Sequence, residues 1–223
     1  MRLDKRLTQI ASYVDKGAIL VDVGTDHGYL PIYLLLNKKI SNAIASDINI
    51  EPLNSAKKNA FKYHVNLDCV LSDGLDQLAN YHFDTISIAG VGGTLIVEIL
   101  KKNIALVKNK TLILQPQNNS KVLRKFLIDN NFNIIDESLV EENGIIYFIL
   151  KVNTQNNVNN YSLLDLMYGK INLEKKQSLL LSLLKQDLNK YQILLNKIPS
   201  DNTKSIELSN IVEMIEGYLY EIK

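Results

Sequence analysis

Residues 20–31 read LVDVGTDHGYLP, an apolar run with an acid at Asp22, then two glycines, Gly24 and Gly28, separated by Thr25, Asp26 and His27. With Ala18 and Ile19 in front, the run makes a buried strand over 18–23, bounded by Gly17 and Gly24. Pro31 can open the helix that follows, since its missing N–H costs nothing in a first turn. Strand, glycine turn and helix are the opening unit of a doubly wound α/β sheet. Ligands of such sheets sit beyond the carboxyl ends of the strands, where strand order reverses. The quoted turn therefore lies on the binding edge.

Outward from this unit the same alternation continues. Leu3, Leu7, Ile10, Ala11 and Val14 recur at helical spacing and predict an amphipathic helix ahead of the first strand. NAIASD (42–47) is a second strand, and Pro52 starts a helix running through SAKKNAFKYH. DCVLSD (68–73), DTISIAG (84–90) and TLILQP (111–116) are three more strands, with helices at 94–102 and 119–130 between or after them. NIIDESLVEENGIIYFILKV has two strand-like halves around Glu142-Asn143-Gly144, a hairpin signal. The expected fold is α/β and Rossmann-like: a mainly parallel sheet with helices on both faces and one antiparallel strand.

The chain then changes character. TQNNVNNY (154–161) reads as a polar linker, which gives an expected division into domains 1–152 and 153–223. Beyond it Leu180, Leu184, Leu188, Tyr191, Leu195 and Ile198 step by fours and threes until Pro199. Leu208, Val212, Ile215, Leu219 and Ile222 repeat the rhythm. Two narrow stripes joined by a turn at Pro199–Asp201 predict an antiparallel coiled-coil hairpin. Lysines in the first helix and glutamates in the second are placed to flank its seam.

With 223 residues, 46% of them hydrophobic and 22% charged, the composition is that of an ordinary globular protein. Its apolar stretches are too short to span a bilayer, and MRLDKRLTQIASYV lacks a cleavable signal pattern. The single cysteine, Cys69, excludes an internal disulfide and fits a reducing, cytoplasmic setting. In LDCVL it reads as core packing rather than as a nucleophile. Net charge is only +1, but Lys101, Lys102, Lys108, Lys110, Lys121, Arg124 and Lys125 form a run without an acid. Such a run is either a solvated surface or a positive face that tracks a phosphate backbone. Lysine outnumbers arginine 22 to 3 and asparagine is abundant, as AT-rich coding produces, so scarce arginine does not argue against RNA.

The turn itself excludes common nucleotide sites. A dinucleotide fingerprint needs G-x-G-x-x-G, and Asp26 replaces the central glycine, where a carboxylate would oppose a pyrophosphate. There is no Walker lysine either. A phosphate-free ligand with positive groups suits the turn, and S-adenosylmethionine, with its sulfonium, ammonium, ribose and adenine, fits. Asp47 closes the second strand, where a carboxylate accepts both ribose hydroxyls, a device that NAD enzymes share. Asp73, in LSDGL, can accept from the adenine amino group. IAGVGG (88–93) closes the fourth strand, where glycine lets backbone pass close to the ligand. Each acid also has a bland reading as a cap or turn residue. The candidate cofactor set is Asp22, Gly24, Asp26, His27, Gly28, Asp47, Ile48, Asp73, Gly74, Ala89 and Gly90.

Taken together, DVGTDHGYLP, ASDINIEPLNSAKKN, LSDGL, IAGVGGTLIVEIL and LILQP resemble the bacterial tRNA (adenine-22-N1)-methyltransferase family, TrmK. Over residues 3–152 the likeness extends to motifs; for the C-terminal hairpin it is one of architecture. Val91 and Gln117 depart from the family pattern, which has Met and Asn there. The resemblance implies a class I methyltransferase that uses S-adenosylmethionine to methylate N1 of an adenine in the D-arm region of tRNA. Asp26 and Tyr29 are then the candidate catalytic residues. Asp26 would favour the cationic product or meet the donor's ammonium, and Tyr29 would stack on an extruded base. His27 would bond the donor's carboxylate or brace the turn. Ala-Gly-Val-Gly-Gly replaces the Asn/Asp-Pro-Pro-aromatic end typical of exocyclic amine methylation, and mid-strand Cys69 disfavours a cytosine-C5 mechanism. His64 and His82 lack clustered partners, so no metal is expected. The expected partner is tRNA, without a membrane, for a monomer or weak dimer. An NAD-dependent oxidoreductase and a non-catalytic RNA-binding adaptor are the rival readings.

Overall fold

The computed structural model describes residues 1–154, 160–199 and 202–222, which fall into two compact units, Met1–Val158 and Asn159–Lys223. In the first unit a seven-stranded sheet runs in the order β3-β2-β1-β4-β5-β7-β6. The strands are β1 Ile19–Val23, β2 Asn42–Asp47, β3 Asp68–Leu71, β4 Thr85–Val91, β5 Thr111–Pro116, β6 Asn133–Glu142 and β7 Ile145–Asn153. β1 to β5 pair in parallel, and β7 inserts antiparallel between β5 and β6. All seven expected strands are present. That the hairpin strands enter in reverse order is not visible in the sequence.

Helix α1 (Lys5–Tyr13) precedes β1, α2 (Tyr29–Leu36) joins β1 to β2, and α3 (Ile50–Lys62) joins β2 to β3. α4 (Gly93–Lys102) and the short α5 (Ile104–Val107) join β4 to β5, and α6 (Ser120–Asp129) leads to β6. Strand order runs one way from β1 to β3 and the other way from β4 to β5. Right-handed crossovers therefore put α2 and α3 on one face and α4 on the other. The reversal falls between β1 and β4. Both prolines expected to open helices sit at the third helical position instead, after Gly28 and Asn49 as N-caps. Their missing N–H groups still fall in the first turn, where no intrahelical partner exists.

α1 packs its predicted stripe inward. Ile10, Ala11 and Val14 are buried in one cluster with Leu20, Leu34, Ile113 and Ile149, and Leu3 and Leu7 lean on it. Asp4 caps the helix, its carboxylate accepting from Leu7 N at 2.6 Å. The stripe fixes which way α1 faces, and its first turn therefore arrives at the carboxyl ends of β1 and β4.

The second unit holds α7 (Leu163–Tyr168), α8 (Lys170–Lys175), α9 (Ser178–Leu195) and α10 (Thr203–Glu221). α9 and α10 pack against each other through the expected stripes, with Leu180, Leu184, Leu208, Val212 and Ile215 buried. Two findings differ from expectation. No lysine–glutamate pair forms between α9 and α10 among the described residues; those side chains stand outward, and Gln192 bonds Glu216 instead at 2.9 Å. α7 and α8, too short to show a period, fill one end. Tyr168 donates to Asp187 at 2.9 Å, and Tyr218 donates to the Leu173 carbonyl at 2.6 Å. The expected turn at 199–201 lies partly outside the described residues, as does most of the expected 154–161 linker.

Candidate active site

At the β1/β4 reversal a cavity of about 410 Å³ opens, walled by Asp22, Gly24, Asp26 and His27, by Ala89 and Gly90, and by Arg6 and Gln117. The turn after β1 is anchored to β2, because Gly24 N and Thr25 N both donate to the Ser46 carbonyl, at 2.8 and 3.0 Å. Its two glycines do different work. Gly24 has φ +73° and open space where a Cβ would stand. Gly28 has φ +68°, and a Cβ there would meet Ala56 Cβ at 3.0 Å and Leu67 Cδ2 at 3.2 Å. Gly28 thus closes the turn onto α3 and stands off the cavity wall.

Asp22 is buried, and Ser87 Oγ donates to its Oδ1 at 2.7 Å. Burial pushes its carboxyl above the usual carboxylate range, against the pull of that hydrogen bond and of the Arg6 charge. Asp26 is the opposite case, with a side chain 83% exposed and its Oδ2 at 3.4 Å from His27 Nε2. The His27 and Tyr29 rings stack, centroids 5.1 Å apart and planes 30° from parallel. Asn59 Nδ2 donates to the His27 carbonyl at 2.9 Å and ties this pair to α3. Asp26 and Tyr29, the candidate catalytic pair, thus share the cavity wall.

The other predicted residues occupy the same rim but not that wall. Asp47 ends β2, its Oδ1 accepting from Asn49 N at 2.7 Å, and its carbonyl accepts from Ser72 N at 2.9 Å. This puts Asp73 on the neighbouring strand end. Ile48 beside them is exposed. The Asp73 carboxylate lies 3.3 Å from Lys102 Nζ, which also bonds Asp76. Gly74 has φ +58°, and a Cβ would press on Ile99 Cγ2 at 3.1 Å, so backbone conformation and packing both favour glycine there without any ligand.

Sequence reasoning missed Arg6. Its Nη1 donates to Gln115 Oε1 at 2.7 Å, and the same oxygen accepts from Gly90 N at 3.1 Å. Gly90 is the extra residue of a bulge, since register shifts between Ala89 and Val91, and it takes φ +79°. A bulge leaves one N–H off the ladder. Here fully buried Gln115 supplies the acceptor, and Arg6 holds Gln115 in place. The signal was present: Arg6 falls three residues after Leu3 and four before Ile10, an arginine on the apolar side of α1. Beyond the bulge, a Cβ on Gly93 would lie 2.6 Å from the Asn119 carbonyl oxygen, so the β4–α4 and β5–α6 turns touch backbone to backbone.

Three of the seven cations in the basic run of 101–125 are paired with acids. Arg124 is buried against Glu137 at 2.7 Å, Lys125 pairs with Asp129 at 3.0 Å, and Lys102 bonds Asp73 and Asp76. Lys110 donates to the Phe83 carbonyl and covers its ring. Lys101, Lys108, Lys110 and Lys121 carry no ion pair among the described residues, and of these Lys110 is held by the Phe83 carbonyl. Cys69 is half-buried and burial raises its thiol, which keeps it protonated. Among the described residues no group of three His, Cys, Asp or Glu is placed to hold a metal, and no helix is long and apolar enough to cross a membrane.

A seven-stranded sheet in this order, with a glycine turn after β1 and a cavity at the β1/β4 reversal, defines a Rossmann-like class I methyltransferase. The family model for TrmK, tRNA (adenine(22)-N(1))-methyltransferase, matches residues 20–217, and the chain belongs to that family. A Bacillus subtilis protein named tRNA (adenine(22)-N(1))-methyltransferase is 39% identical over 153 residues, which is 67% of this chain and 64% of that protein's length. A Streptococcus pneumoniae structure solved with S-adenosyl-L-methionine superimposes with a TM-score of 0.88 at 32% identity, over 98% of this chain and 100% of that one. M. capricolum TrmK, solved with S-adenosyl-homocysteine, gives a TM-score of 0.89 at 31% identity over the whole of both chains.

Proposed function

We propose that this chain transfers a methyl group from S-adenosylmethionine to N1 of adenine 22 in tRNA. The observation that carries the reading is the cavity at the β1/β4 reversal, acid-walled, with open backbone at Gly24. The residues fit the donor: Asp22 and Asp26 offer carboxylates to an ammonium, and no phosphate nest competes. The bound donor supplies a methyl already activated on a sulfonium.

The chain's own residues supply binding and alignment. Asp47 accepts the ribose hydroxyls, Asp73 faces the adenine edge beside Ile48 and Gly74, and Ala89 and Gly90 bring backbone close to the transferring group. The stacked His27–Tyr29 pair gives an extruded adenine a flat surface at the cavity mouth. N1 of neutral adenine presents a free lone pair, so the chain needs no base there, only in-line placement and exclusion of water. Asp26, exposed in the free protein, is covered once RNA docks, and its charge then favours the cationic product. The sheet-bearing unit Met1–Val158, within which the expected 1–152 catalytic domain falls, carries this chemistry, and the helices α7 to α10 make up the second domain. The enzyme works in the cytoplasm, as a monomer or weak dimer.

Thermal shift tests the donor half of this reading. S-adenosylmethionine should raise the unfolding midpoint and NAD should not, because only a ligand of the native state stabilises it. Methyl incorporation into tRNA tests the other half. Binding without transfer would favour the adaptor reading, and stabilisation by NAD the oxidoreductase.

A further inference from the structure

The outward face of α3 does not serve the cavity. Asn54, Lys57, Lys58, Phe61 and Lys62 recur at three- and four-residue spacing, and all are exposed. Phe61 is 82% exposed, the most exposed large apolar side chain among the described residues. None of the three lysines has an acid within salt-bridge distance among the described residues, and 54–64 contains no acid. Lys62 Nζ lies 5.6 Å from the Tyr63 ring centre, so among the described residues the contact these charges make is with another aromatic face. The contrast with residues 101–125 is direct: there most cations are spent on acids or carbonyls, and here they are not.

We infer that this face of α3 is a docking surface for tRNA, with Lys57, Lys58 and Lys62 on backbone phosphates and Phe61 stacked on an unpaired base. The inference rests on the tRNA reading above and adds a place to it. An aromatic ring among unpaired lysines is the chemistry of single-stranded or looped nucleic acid, in which every base offers a face for stacking. A protein partner fits less well. Phe61 is flanked on its face by Lys and Asn rather than by further apolar groups, and one isolated ring falls short of an apolar interface core. The helix that carries this surface also begins at the site. α3 starts at the rim beside Asp47, and Phe61 lies about 16 Å along the axis from Ile50 at 1.5 Å per residue. A folded tRNA spans that separation easily.

The test is fluorescence anisotropy of tRNA binding to full-length protein at several salt concentrations. It compares wild type, Phe61→Ala and the triple variant Lys57→Gln/Lys58→Gln/Lys62→Gln. Phe61→Ala should weaken tRNA binding about tenfold, as loss of one base stack does. The triple variant should flatten the log–log salt slope by about two to three, one phosphate contact per lysine. Unchanged donor affinity and unfolding midpoint would show that the effect is local. Wild-type affinity and slope in both variants would overturn the inference. So would sedimentation showing that Phe61→Ala disrupts self-association while RNA binding stays intact. Failure of the wild type itself to bind or methylate tRNA would instead sink the underlying functional reading.

Discussion

Arg6 is the residue whose importance rests most on geometry. One guanidinium N–H holds Gln115, and Gln115 holds the bulged N–H of Gly90. Arg6→Ala should lower kcat/KM for methyl transfer by about 10–100-fold, on the scale of losing a positioning group. The unfolding midpoint should change little, because the side chain is not in the core. Arg6→Lys should rescue poorly, since an ammonium lacks the planar fork; full rescue in steady-state kinetics would show that charge alone matters. Asp22 gives a prediction of opposite sign for stability. Its carboxyl is raised by burial, so the stability it contributes is present below the unfolded-state pKa and lost as pH rises through the folded one. Asp22→Asn keeps an acceptor for Ser87 and removes the buried charge. Thermal melts should show a gain of a few degrees near neutral pH that vanishes near pH 4. Donor affinity should fall at the same time. A variant less stable at pH 7, or one that binds donor normally, contradicts this account of the residue.

Elements differ in how much of them could be read from the sequence. The β1–α2 turn was legible because its chemistry is local: an acid, two glycines and a proline within ten residues. Its glycines nonetheless separate only in three dimensions. Gly28→Ala meets both a positive φ and the Ala56 contact at 3.0 Å, whereas Gly24→Ala meets strain alone. Urea denaturation should show a loss of about 1–3 kcal/mol for Gly28→Ala and a smaller one for Gly24→Ala. Donor titration should rank them the other way. Equal effects on both measurements would mean that the open space beside Gly24 has no bearing on the ligand. The α1–cavity contact was not legible, because it depends on where a helix docks and not on its own pattern. α7 and α8 escaped for another reason: six-residue helices are shorter than two periods. The outer hairpin was visible as two strands, but only sheet topology shows that β7 lies inside β6.

For the whole molecule, charge has to be counted in space. Seven cations between 101 and 125 suggested a binding face, yet one is the fully buried Arg124, held by Glu137 and lying 4.7 Å from the Phe148 ring centre. Arg124→Met leaves a buried carboxylate behind and should cost about 3–5 kcal/mol of stability. RNA binding lost in that variant would therefore report unfolding. Lys101→Gln, Lys108→Gln and Lys121→Gln together should flatten the salt slope by less than about one; a change of about two to three, one phosphate contact per lysine, would restore the run as the main electrostatic face. The unit that holds the sheet also holds the cavity, and its switch point between β1 and β4 organises the whole reading. The most direct test supplies tRNA, labelled S-adenosylmethionine and the purified protein, then maps the product by reverse-transcription stops. The account predicts one 1-methyladenine per tRNA, at position 22, absent when that base is changed to guanine. Label at another nucleotide, on an exocyclic amine, or on no RNA at all would contradict it.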